Sequence, residues 1–113
     1  MRTIHGEILL PSDAPHREAR SILVELRDVS VADAPSTVVA STRLTGVACK
    51  PGGRVPFTLE APESAKGRML ALRVHVDWDG DGSVSRGDLL TTESIRVPGA
   101  GDVGMARAPV RLI

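Results

Sequence analysis

Apolar and polar residues alternate with a period of two along most of this chain, the spacing of strands with one face buried. Ile4, Gly6, Ile8 and Leu10 share one face of a first predicted strand over 3–10, with Gly6 a bulge or close-packing point. Residues 11–20 are polar with two prolines and read as a loop, with one helical turn over 16–19. Ile22, Val24 and Leu26 alternate with Leu23, Glu25 and Arg27 in a second strand. A third covers 37–45, where both faces are weakly apolar and one side is expected to meet water. Lys50-Pro51-Gly52-Gly53 is a turn signal. Val55, Phe57 and Leu59 line a fourth strand, with Pro56 near its start, where a missing donor is tolerated. After a turn over 61–67, a fifth strand over 70–76 places Leu72, Val74 and Val76 opposite Arg73 and His75. A sixth spans 89–97. A flexible connection over 98–104 leads to a last strand over 107–113, whose apolar face is Val110 and Leu112. Seven strands, turns between them and no long helix predict a seven-stranded antiparallel β-sandwich. Residues 1–113 form a single domain around a filled core.

Between the fifth and sixth strands the alternation stops at Asp77-Trp78-Asp79-Gly80-Asp81-Gly82-Ser83-Val84-Ser85-Arg86-Gly87-Asp88. A twelve-position calcium loop supplies oxygen ligands from positions 1, 3, 5, 7, 9 and 12 and a glycine at position 6. Counted from Asp77, those positions hold Asp77, Asp79, Asp81, Ser83, Ser85 and Asp88, with Gly82 at the turn. Ser83 would offer its backbone carbonyl, and Ser85 would act directly or through water. Position 12 is Asp88 rather than Glu, and its shorter arm brings in magnesium as the second candidate ion. The flanks are strands, so this is a calcium loop in a hairpin, unlike the helix–loop–helix of a sensor. The alternative is an acidic turn of ordinary Asp and Gly chemistry. His75 lies on the face of Arg73 and Asp77 and is expected to be exposed or hydrogen-bonded beside the loop, ranking below the oxygen donors as a ligand. Trp78, at position 2, is assigned to core packing, and Val84 to pinning the loop to the domain. Asp28, Ser30 and Asp33 read as turn chemistry.

Composition narrows the function classes. Formal net charge is zero, so no basic face for nucleic acid is implied. One Trp, one Phe and no Tyr leave no stacking platform. The single Cys, Cys49, permits no internal disulfide and reads as a small buried hydrophobe. No run approaches a membrane span, and 1–10 is strand-like rather than a leader. If Met1 begins the natural chain, a cytoplasmic location is expected. If Met1 caps a trimmed segment, a periplasmic or outer-membrane-associated parent fits. No phosphate loop, zinc spacing or nucleophile elbow is present.

The run from Leu26 to Ala34, with the pattern Leu-x-Asp-x-Ser-x-x-Asp-Ala, resembles the YscW/YbaY family, described as type III secretion lipoprotein chaperones or pilotin-like proteins. The order of other features is similar too: Ile4-His5-Gly6 in an opening strand, Val55-Pro56-Phe57, Leu72-Arg73, and a Gly-x-Leu-x-x-Thr return from Gly87 to Thr92. The resemblance implies a prealbumin-like sandwich without catalytic residues, and a chaperone-like binding role.

The expectation is therefore a non-enzymatic β-sandwich binding module with a structural calcium site over 77–88 and a protein or peptide partner. Two rivals stand beside it. One is a metal-dependent enzyme, which would need a cleft beside Asp77 and Asp88. The other is a calcium-responsive self-assembly module, a homo-oligomer built around Trp78.

Overall fold

The computed structural model describes residues 1–31, 35–63, 68–98 and 104–113. Nine strands form two sheets, and no helix occurs among the described residues. The strands are β1 (Arg2–Leu9), β2 (Arg17–Asp28), β3 (Thr37–Cys49), β4 (Arg54–Ala61), β5 (Met69–Asp77), β6 (Leu89–Leu90), β7 (Ile95–Pro98), β8 (Met105–Pro109) and β9 (Arg111–Leu112). The first sheet has the order β4-β1-β8; the second runs β3-β2-β5-β6-β9, and β7 also pairs with β5. The all-β class is as expected, with nine strands in place of seven.

The period-two rows enclose one core. Ile4, Ile8, Val55, Phe57 and Leu59 of the small sheet face Ile22, Val24, Leu26, Leu72, Val74 and Val76 of the large one, and all are buried. Cys49 is buried among them, and burial pushes its thiol up despite a bond from the Ala19 backbone. β4 alternates without a break between exposed and buried positions. It is an edge strand, which accommodates Pro56. Gly6 sits opposite Phe57 on β4 and Ala106 on β8. A Cβ at Gly6 would run into the Phe57 ring and come within 2.9 Å of the Ala106 carbonyl oxygen. Gly6 is therefore a close-packing point: the ring lies across the space that a side chain would take.

Four features depart from the sequence reading. No helical turn forms over 16–19; β2 already starts at Arg17, because β3 continues to Cys49 and offers it a partner. The predicted strand over 89–97 divides into β6 and β7. Between them, the Thr91 hydroxyl accepts the Val74 N–H at 3.2 Å, and the Thr91 N–H donates to the Val74 carbonyl at 3.0 Å. A side chain thus replaces one rung of the ladder and lets 92–94 leave the sheet. The last predicted strand also divides. β8 pairs with β1 in the first sheet, in parallel, so the sandwich is not wholly antiparallel. Val110 then crosses over, its N–H on the Leu9 carbonyl, and β9 joins β6 in the second sheet. Because of that crossing, Ala108 and Val110 are buried while Leu112 is exposed. The turn over 50–53 closes as expected, with the Gly53 N–H on the Lys50 carbonyl. Asp33 and most of the predicted connection over 98–104 lie outside the described residues.

Candidate metal centre

The acidic stretch closes the hairpin between β5 and β6. His75 pairs with Leu90 and Val76 with Leu89, so Asp77 and Asp88 stand one step beyond the last rung. Residues i and i+2 of a strand share a face, and so do directly opposed residues. His75, Asp77 and Asp88 therefore converge on the outer face of the large sheet. All three are buried, at 4%, 3% and 2% exposure. Ring nitrogen and carboxylate oxygens from the three lie within 4.8 Å of one another. His75 Nε2 is 2.8 Å from Asp88 Oδ2. Among the described residues no other group of His, Cys, Asp and Glu meets that spacing.

The backbone of the stretch is organised by these carboxylates. Asp77 accepts the Gly80 N–H on Oδ1 at 3.0 Å and the Gly82 N–H on Oδ2 at 2.8 Å. Asp88 Oδ2 accepts the Ser85 N–H at 3.0 Å, and Asp81 Oδ1 accepts that of Ser83 at 3.0 Å. Gly82 has φ of 81° with open space around its α-carbon, so the left-handed backbone, and not crowding, requires glycine there. Gly87 donates to the Ile113 carbonyl and the Ile113 N–H returns to the Asp88 carbonyl, which ties the exit of the stretch to β9.

Burial pushes the Asp77 carboxyl up. The Gly82 and Gly80 N–H groups, the nearby His75 and the Asp81 N–H outweigh it and hold Asp77 below the ordinary aspartate value. Asp28, the last residue of β2, is also held low, by the Ser30 hydroxyl and N–H, with Arg68 contributing. Its Oδ1 accepts the Ser30 N–H at 2.9 Å, the turn chemistry expected of that pair.

The six sequence-predicted ligands divide. Asp77 and Asp88 meet at the buried base. Asp79 is exposed and pairs with Arg17 at 3.2 Å. Asp81 and Ser83 are exposed, and Ser85 is half-buried. His75, expected to be exposed or hydrogen-bonded beside the loop, is hydrogen-bonded to Asp88 and buried. Its position two residues before Asp77 was the available signal, but the return of Asp88 across β5 was not readable from spacing. Trp78 is core: it is 4% exposed, donates Nε1 to the Gly87 carbonyl at 2.7 Å and lies under the Arg17 guanidinium at 5.5 Å. At this burial Trp78 presents little surface of its own. Val84 is 47% exposed and does not pin the loop. The cavity beside the loop, about 530 Å³, is lined by Arg17, Glu18, Arg20, Trp78 and Asp79 and does not reach Asp77 or Asp88.

No family model and no curated protein matches this chain. Among solved structures, it is similar to an alternative pilotin from the type II secretion system of Vibrio cholerae, with a TM-score of 0.66 and 21% identity over 98% of this chain and 94% of that one. The fold is pilotin-like. No helix of the described residues is long and apolar enough to cross a membrane.

Proposed function

We propose that this protein is a non-enzymatic, chaperone-like binding module of a bacterial envelope, periplasmic or outer-membrane-associated, with a protein partner. The pilotin-like fold over nearly the whole chain supports this most directly, and the YscW/YbaY resemblance of the motifs agrees with it. The partner is a component of a secretion machine, and it docks along β3. This strand has thirteen residues, forms the edge of the large sheet and, among the described residues, pairs with β2 alone. An unpaired edge offers a ladder of backbone donors and acceptors to an added strand. Immobilised protein presented with purified components of a type II secretion system should retain one of them. Lysines at Ser41 and Thr45, both exposed on β3, should cut retention at least tenfold without lowering the melting temperature. Equal retention by this variant would remove β3 as the docking edge, and no retention by the parent protein would remove the role.

The stretch 77–88 holds one divalent cation, and calcium is the ion its oxygen donors select. The left-handed Gly82 and the paired Asp77 and Asp88 fit such a loop. Asp79 and Asp81 would turn inward from Arg17 and from the Ser83 N–H. The ion's role is structural, since a ligand held only by the folded chain stabilises it by mass action. Millimolar calcium should therefore raise the melting temperature of chelator-stripped protein, and Asp81→Ala should abolish the shift. A shift of equal size in Asp81→Ala would show that the ion sits elsewhere.

A further inference from the structure

The buried base of the hairpin differs in chemistry from the loop above it. Asp77 and Asp88 are two carboxylates in a dehydrated site, and the third member is a nitrogen ligand, His75. Three nearby arginines are engaged elsewhere: Arg73 binds Glu25 at 3.2 Å, Arg43 binds Ser21 at 2.7 Å, and Arg17 binds Asp79. Among the described residues Asp77 makes no ion pair with an arginine or lysine; its two oxygens are held by the Gly80 and Gly82 N–H groups, so the trio carries two carboxylates without a cationic side chain of either kind. A divalent ion with one neutral imidazole and two carboxylates makes the site neutral.

From this geometry we infer that His75, Asp77 and Asp88 bind a borderline first-row divalent ion of the zinc class. The inference rests on reading the hairpin as a metal site and names a different ion for its inner end. Calcium has no use for an imidazole, whereas zinc takes nitrogen and carboxylate ligands at about 2.0–2.2 Å. Ligand atoms on one tetrahedral ion of this kind stand about 3.4 Å apart, so the three ligand atoms, which lie within 4.8 Å of one another, draw together by up to roughly an ångström on binding. The ion takes the place of the proton between Nε2 and Oδ2, and that 2.8 Å contact widens by a few tenths of an ångström. Water completes the coordination. Because Asp77 and Asp88 are common to both ion sets, zinc and calcium compete.

The test is calorimetric titration of chelator-stripped protein with zinc, calcium and magnesium, separately and in competition, on the parent protein and on His75→Gln and Asp81→Ala. One equivalent of zinc should bind the parent. His75→Gln should weaken zinc by more than about 100-fold, beyond what loss of an outer partner causes, and leave calcium unchanged. Asp81→Ala, at an exposed position, should keep zinc and lose calcium; it decides the matter even if His75→Gln fails to fold. Calcium binding without zinc binding overturns this inference and leaves the calcium loop standing. Zinc binding indifferent to His75 in a folded variant also overturns it. Absence of heat with all three ions overturns both readings.

Discussion

Gly6→Val should destabilise the protein by about 3 kcal/mol, near the upper end of what overpacking a core costs. At this chain length that corresponds to a melting temperature lower by roughly 13 °C. The new side chain lands on the Phe57 ring, which is itself core at 4% exposure, so moving it aside disturbs its own packing. The Ala106 carbonyl on the other side belongs to a paired strand and is no more mobile. Gly6 has no left-handed backbone to defend, so the whole penalty comes from space. Phe57→Leu in the same chain should recover part of the loss, giving a coupling of 1 kcal/mol or more, roughly the range seen for residues in contact. Thermal melts of the two single variants and the double variant measure this. Additive single effects would mean that ring and glycine do not share the site as described.

Asp77→Asn should cost about 2 kcal/mol, measured in chelator so that no ion contributes. The carboxylate accepts two N–H groups through two oxygens, and an amide can replace only one of them. Its NH₂ then faces a backbone donor, and the turn at Gly80 or Gly82 loses its anchor. The same variant has a pH consequence. The folded-state pKa of Asp77 is held below its ordinary 3.8. A depressed carboxylate contributes stability that is complete above the unfolded value and is lost as pH falls through the folded one. Acid titration of the parent should therefore show a stability decline below about pH 4 that is shallower in Asp77→Asn. Superimposable acid limbs would assign the decline to other carboxylates.

The rows Ile4, Gly6, Ile8 and Val55, Phe57, Leu59 were legible because one face of each strand is buried along its whole length, so local pattern and tertiary environment agree. Strand division was not legible. The break at Thr91 depends on a hydroxyl that takes the place of a backbone acceptor for Val74 on the neighbouring β5, and the break at Val110 on a change of sheet. Neither leaves a mark in the alternation, since Val110 and Leu112 keep the same parity whichever sheet they join. For the site, spacing alone identified Asp77, Gly82 and Asp88 as one unit. It ranked His75 below the oxygen donors, because the burial of His75 follows from β6 returning Asp88 across the face of β5. Polar residues on an outer strand face read as solvated unless the covering segment is known.

The parallel pairing of β1 with β8 bears on how the chain reaches its native state. His5 lies beside Met105, so the small sheet joins segments from nearly opposite ends of the sequence. Loop closure on that scale is entropically expensive and slows folding, as in other β-topologies rich in distant contacts. The β1–β4 and β2–β5 ladders can pair over shorter separations, but the β1 edge remains open until β8 has been synthesised and docked. Until then that edge of β1 keeps its backbone donors and acceptors unpaired, and a holding partner has its opportunity in that interval.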